Sequence, residues 1–370
     1  MKVKNILLSH LPIPTDKIGS WNVLFSSLIF HNPNIFDYII SPKIDKEKYH
    51  IPNHIEIKFR TTKLNKLIKH YDKIEFWNVI LKLLKKDEKL VLNIIDNIGL
   101  LIALDFFAKK HNLRDRLFLN FFLRGYNFDV SVERRKKIYS AINKLIVMSN
   151  SSYEFQIQNN HELSGEVEIL KNGVETNKFY PLNKKNKTQK RKELMFNPNK
   201  TYFLWLSQDR PKKGLSLILL VWKEIIKEFK NVELLIIGSE RKINQPGVLN
   251  IGRIKNSELP KYYQIADYFL FSSLCHEGHP LALTEALKCG LKCFASNIDP
   301  ISEVLQNGKL GILVKQPHFK ESWVLAITNE LKKPSFLIDK DINLNKLYSF
   351  EDWLKNVEKI CKDSINSFNF

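Results

Sequence analysis

What narrows the choice of fold for this chain is the alternation of short, unbroken apolar runs with longer segments of helical periodicity. The runs fall at 6–9, 38–40, 55–59, 90–95, 117–123 and 145–149, then at 202–206, 232–237, 268–271, 292–295 and 311–314. Most lack the apolar–polar alternation of a strand with one wet face. They read as strands covered by helices on both sides, which is the pattern of parallel βα units. The expected class is therefore α/β. A polar, charged stretch at 183–200 carries the weakest core signal and reads as a basic linker. It separates a first βα region, 1–182, from a second, 201–347. Beyond these, 348–370 has Phe350, Trp353, Leu354, Val357, Ile360 and Cys361 at helical spacing.

A chain of 370 residues has room for two or three domains with sizeable cores. Its 44% apolar and 26% charged content is that of an ordinary soluble protein. Near the start only Ile6, Leu7 and Leu8 are apolar in succession, so a buried strand is expected there and not a secretory signal. No run approaches the ~18 apolar residues of a membrane span. Cytoplasmic location follows as an expectation, with peripheral attachment to the inner face of the membrane as a variant. Cys275, Cys289, Cys293 and Cys361 lack metal-site spacing and read as reduced, packed thiols.

The net charge is +19, and it is spread evenly: 28 Lys/Arg against 19 Asp/Glu in 1–182, 30 against 20 in 183–370. Such a charge draws anionic partners of any kind. No recognisable RNA or DNA module accompanies it, so nucleic acid is not an expected partner. Residues 62–86 place Leu64, Leu67, Ile68, Tyr71, Ile74, Trp77, Ile80 and Leu84 on one helical stripe, with Lys63, Lys66, Lys69 and Lys73 elsewhere. That pattern allows either an anionic membrane surface or a packed helix with a lysine-rich wet face.

The chemistry concentrates in Ser272 to Gly290, SSLCHEGHPLALTEALKCG. An apolar strand enters it and a helix-like run leaves it, so its polar residues stand at the carboxyl end of a strand, where ligands bind in α/β sheets. Pro280 suits a first helical position, and the amides of Leu281, Ala282 and Leu283 would then face an anion. Glu277 and Glu285 flank that place.

This stretch resembles the retaining glycosyltransferases of family 4, which have the GT-B fold. The likeness continues through Gly290, 293–297, 301–304 and 307–314. Upstream it takes in Pro211, Lys212, Lys213, Gly214 and Leu215, then 233–238, and 171–175 with Phe179 and Pro181. It covers 144–320 well and is thin before that. The resemblance implies two Rossmann-like βαβ domains facing across a cleft. The first would bind the acceptor, the second the nucleotide sugar, and the last helix would cross back to the first. It implies a UDP- or GDP-linked donor, retention of anomeric configuration, no cofactor and no metal. The acceptor would be a glycan or a lipid-linked glycan, in cell-surface polysaccharide or lipopolysaccharide synthesis. A sugar-nucleotide epimerase or hydrolase of related architecture is the alternative enzyme class, and a nucleic-acid-binding protein the non-enzymatic one.

By the same resemblance Lys213 would neutralise the departing diphosphate, and Glu285 would accept hydrogen bonds from the ribose hydroxyls. Glu277 would stand nearer the sugar. Gly278, His279, Pro280, Leu281 and Ala282 would line the donor site, and Arg253 and Ile254 would lie toward the base. The family's usual phosphate-binding arginine falls at Gln208 here, and Arg210 is the nearest substitute. Of its glycine pair in the first βα loop, only Gly19 is present. Arg124 stands where relatives often carry a histidine, and an arginine cannot exchange protons near neutral pH. Asp96 and Asn97, at the end of a strand, are candidates for acceptor contact or for a solvated turn. The acidic pair Asp339 and Asp341 superficially resembles the metal motif of the other major glycosyltransferase fold, and reads as a solvated loop.

Overall fold

The computed structural model describes residues 2–15, 20–58, 70–159, 163–333 and 348–368. They form two compact units, Met1–Lys171 with Trp353–Phe370, and Asn172–Asp352.

The first unit is a seven-stranded parallel sheet: β1 (Lys2–Leu8), β2 (Tyr38–Pro42), β3 (His54–Ile57), β4 (Glu88–Ile95), β5 (Leu117–Phe122), β6 (Lys144–Val147) and β7 (Glu166–Ile169). Its helices are α1 (Ser20–His31), α2 (Ile74–Leu83), α3 (Ile98–Lys110), α4 (Val132–Tyr139) and α5 (Asn150–Asn159). The strand order is β3-β2-β1-β4-β5-β6-β7, so the winding reverses between β1 and β4. Leu8 pairs with Ile94 and Ile95 with Phe122, which brings the carboxyl ends of β1, β4 and β5 level. β5 is buried along its whole length, as its unbroken apolar sequence requires. β7 escapes the apolar-run criterion because its sequence, EVEI, alternates, as suits the edge strand it is. Residues 62–69 lie outside the described ones. The rest of that amphipathic stretch includes α2, which buries Phe76, Trp77 and Ile80 in the core of the unit.

The second unit opens with α6 (Lys184–Glu193) and is built on β8 (Thr201–Leu206), β9 (Val232–Ile237), β10 (Val248–Gly252), β11 (Tyr268–Phe271), β12 (Lys292–Ser296) and β13 (Gly311–Val314). Between them run α7 (Leu215–Glu228), α8 (Leu259–Ile265), α9 (Leu281–Lys288) and α10 (Ile301–Val304), and α11 (Lys320–Leu331) follows. The strand order is β10-β9-β8-β11-β12-β13, parallel throughout, with the reversal between β8 and β11.

The units divide at Lys171, ahead of the stretch read as a linker. That stretch is largely helix: Asn183 caps α6 by accepting from the Asn186 amide at 2.8 Å. It belongs to the second unit because Arg191 is buried. Its guanidinium donates to the Ile265 carbonyl at 2.6 and 2.9 Å, to the Lys200 carbonyl at 3.0 Å and to Asp267 at 2.7 Å, and lies 4.9 Å from the Tyr202 ring. A basic composition hid a structural cation.

The last helix, α12 (Phe350–Ser367), runs into the first unit from Trp353 on. Trp353 meets Phe25 edge-on at 5.8 Å. Along the same helix Ser364 donates to Asn120 at 3.1 Å, Asn120 to Asn93 at 2.9 Å, and Asn93 to Asn5 at 2.6 Å. A buried amide ladder thus runs across β5, β4 and β1, and its outer acceptor is satisfied by the helix. All four cysteines are unpaired; burial pushes the thiols of Cys289, Cys293 and Cys361 up. No described helix is long and apolar enough to cross a membrane.

Candidate functional site

The reversal between β8 and β11 opens the second sheet at its carboxyl edge, and the loops after these strands carry Lys213 and Glu277. Trp205 in β8 donates its indole N–H to Ser272 Oγ at 3.0 Å, and that hydroxyl donates to the Lys213 carbonyl at 2.9 Å. The Leu274 amide donates to the Lys212 carbonyl at 2.8 Å. Between these bonds sits Gly214, with φ +75°, where a Cβ would lie 2.2 Å from the Ser272 carbonyl oxygen. Only glycine permits that backbone approach. Thus the Pro211–Lys213 turn is clamped to the loop after β11. Lys213 Nζ forms an ion pair with Glu277 Oε1, and Ser273 Oγ donates to the same oxygen. The two side chains are 19% and 17% exposed, so the pair faces an opening without being loose in solvent.

Glu285 lies one turn into α9 and is 8% exposed. The Tyr263 hydroxyl, from α8, donates to its Oε2 at 2.9 Å. Burial drives the carboxyl up to about 8, against the smaller opposite pull of the Tyr263 hydrogen bond. Its folded value therefore lies above the ordinary glutamate value of 4.5. Between those pH values the folded chain keeps a proton that the unfolded chain has lost, so stability falls as pH rises through the window. Glu285→Gln keeps an acceptor for Tyr263 and removes that cost. In ligand-free melts the variant should gain nothing near pH 4.5 and a few degrees by pH 8.5, by the usual conversion of free energy to Tm. An equal gain at both pH values would contradict burial of the carboxyl as the origin of the effect.

Two first-turn expectations shift. Pro280 is the N-cap of α9, one place earlier than expected, with φ −73° and ψ 100°. Its carbonyl takes the Leu283 amide at 3.1 Å, leaving those of Leu281 and Ala282 as the first-turn donors with no helical carbonyl to serve. His279 is buried and packs edge-on against Tyr348 at 4.9 Å, while its carbonyl accepts from Asn172 Nδ2 at 2.7 Å. It braces the loop. Gly278 is buried beside it.

Arg253 is exposed and pairs with equally exposed Glu240 at 3.4 Å, and Ile254 packs against the core. Arg210 opens the turn with an extended backbone and an exposed side chain. Arg241, which the motif reading missed, is tied in more firmly: it reaches Asp209 at 2.5 Å and Ser216 at 2.9 Å, and Ser239 donates to the same aspartate at 2.6 Å. The signal for it was the polar run after the second strand of this half. Tyr263 and Ser273 were missed as well. Ser273 stands two residues past the end of β11; nothing in the sequence links Tyr263 to Glu285.

In the first unit, Asn97 spends its side chain as the N-cap of α3, accepting from the Leu100 amide at 2.9 Å. Asp96 is held at φ +41° and accepts from the Arg124 amide and guanidinium, each at 3.2 Å. Burial raises its carboxyl, and Arg124 offsets this in part. Gly19, Asp339 and Asp341 lie outside the described residues. Among the described residues no three His, Cys, Asp or Glu side chains are grouped to hold a metal ion.

The whole chain aligns with proteins of one architecture. It matches sucrose-phosphate synthase from Thermosynechococcus elongatus with a TM-score of 0.76 at 15% identity, covering 99% of this chain and 100% of that one. It matches Anabaena HepE in complex with UDP and glucose with a TM-score of 0.72 at 13% identity, covering 97% and 100%. At such identities the likeness carries the fold, and the fold is GT-B, two parallel α/β units. Residues 186–343 match the model of the glycosyl transferases group 1. Among curated relatives, an alpha-monoglucosyldiacylglycerol synthase of Acholeplasma laidlawii is 25% identical over 240 residues, 60% of this chain. The match spans 59% of that relative's length.

Proposed function

We propose that the chain transfers a sugar from a nucleotide diphosphate donor to a glycan or lipid-linked acceptor, with retention of configuration and without a metal ion. The observation that carries this reading is the Lys213–Glu277 pair at the switch point of the second sheet, with buried Glu285 behind it. When the bond from the anomeric carbon to the phosphate oxygen breaks, negative charge grows on the departing diphosphate. Lys213 meets that charge, and the open amides of Leu281 and Ala282 add fixed dipoles. Drawn toward phosphate, Lys213 leaves Glu277 to the sugar hydroxyls or the electron-poor anomeric carbon. The acceptor oxygen then bonds to that carbon and its proton leaves with the phosphate or to water. Glu285, at the base of α9, holds the ribose.

The UDP in the HepE complex makes uridine the first base to test, and the name of the Acholeplasma relative supports a lipid-linked acceptor. Action at the cytoplasmic face of a membrane, in cell-surface glycan synthesis, fits both. The test is a thermal-shift series with UDP, GDP, ADP and CMP on the parent chain and on Glu285→Ala. A ligand that binds only the folded state raises the melting temperature by mass action. We expect one diphosphate to give a shift that Glu285→Ala abolishes. No shift from any of the four would overturn the donor assignment.

A further inference from the structure

The carboxyl of Glu285 is held by a residue from another helix, and that contact decides what a ligand can do to it. Tyr263, fully buried in α8, donates its hydroxyl to Oε2 at 2.9 Å and lies 3.2 Å from the Ala282 carbonyl in the first turn of α9. Phe179 meets the Tyr263 ring edge-on at 5.7 Å, and Phe269 lies at the same distance, so packing fixes the phenol. Among the described residues only Tyr263 bonds the carboxyl, which leaves Oε1 for a ligand. The surroundings are neutral. β11 turns Phe269 and Phe271 to this side, and β12 turns Cys293. The thiols of Cys293 and of Cys289, in α9 itself, are kept protonated by burial, as is the Tyr263 phenol. Lys187, from α6, acts on Cys289 and is paired with Asp267 at 2.8 Å. An ionised Glu285 would have the Tyr263 hydroxyl for support and, among the described residues, no cation paired with it.

A carboxylate in water is solvated by several hydrogen-bond donors, whereas the empty site supplies one. With that single bond and its burial, Glu285 keeps its proton at neutral pH, its carboxyl standing at about 8. Ribose hydroxyls arriving at Oε1 add hydrogen bonds to the charged form and so favour it. The diphosphate charge pulls the other way, but Lys213 and the amides of Leu281 and Ala282 meet it. We propose that Tyr263 is a positioning residue of the nucleotide site, and that nucleotide binding expels the proton of Glu285 to solvent. The empty site holds a carboxylic acid; the loaded one holds a carboxylate that accepts from Tyr263 and from the ribose. The inference rests on the donor-site reading and deepens it: one buried group makes nucleotide affinity depend on pH.

The experiment is a calorimetric titration of the full chain with UDP, GDP and ADP, from pH 7 to 9, in buffers of different ionisation enthalpy. A terminal phosphate, with a second pKa of ~6, is already ionised over this range and contributes little. A diphosphate that binds should release about one proton near pH 7 and only a small fraction of one at pH 9. Affinity should rise up to about tenfold per pH unit below the Glu285 value and level off above it. Glu285→Gln, which cannot ionise, should remove both the release and the slope. Tyr263→Phe should cost about tenfold in affinity at pH 7, the worth of one hydrogen bond to a charged group, and far less at pH 9. The proton count on the parent and on Glu285→Gln decides the matter even where Tyr263→Phe fails to fold. Binding without proton release at pH 7, or a release that survives Glu285→Gln, overturns the proposal and leaves the nucleotide site standing. A Tyr263→Phe loss equal at every pH overturns the role given to Tyr263 and makes the phenol packing alone. No binding by any of the three nucleotides overturns the donor-site reading and this inference with it.

Discussion

Lys213→Ala is expected to lower turnover in the proposed sugar transfer by about two to three orders of magnitude, the usual cost of removing one preorganised group that meets transition-state charge. The melting temperature should move little. The lysine is 19% exposed and its partner 17%, and Glu277 keeps the Ser273 hydroxyl after the lysine is gone. Binding should change selectively: affinity for a nucleoside diphosphate falls, while affinity for the nucleoside alone stays. Titrations of both ligands against parent and variant check this. Equal loss for the two would assign Lys213 to holding the loop, and undiminished turnover would remove it from the chemistry.

Arg191→Ala should produce the largest loss of stability, about 3 kcal/mol, because truncating a buried, fully hydrogen-bonded cation strands its acceptors. The carbonyls of Ile265 and Lys200 would lose their donor. Asp267 would be cushioned, since it still accepts from the Tyr202 amide at 2.8 Å and pairs with Lys187 at 2.8 Å. Arg191→Lys should recover only part of the loss, because one ammonium cannot replace a planar fork of donors. Urea melts of the three proteins, followed by tryptophan fluorescence, measure it. A variant as stable as the parent would return 184–193 to the role of a mere linker.

The contrast between these two lysine- and arginine-bearing segments shows what the sequence exposes. Lys213, Glu277 and Glu285 are legible because a strand, a loop and a helix start announce a ligand edge, and because short-range spacing carries the motif. The central strands are legible because burial on both faces leaves unbroken apolar runs, as in β5 and β11. Arg191 is not, because its burial depends on Ile265 and Asp267, far along the chain. The same holds for Tyr263 against Glu285. Asn97 carries a second signal that the strand-end reading passed over: an asparagine just before an apolar periodic run is a capping signal in its own right, and it caps α3.

The amide ladder of the first unit has a consequence for how the protein is made. Residues 1–171 leave the ribosome first, yet the hydroxyl that completes their ladder, Ser364, and the indole set against Phe25 belong to a helix translated after the entire second unit. Until then Asn120 and the surface around Phe25 must rely on water or on a chaperone. The nascent first unit is therefore an unfinished sheet with an apolar seam, and synthesis of the second unit is the interval during which it is most exposed to aggregation.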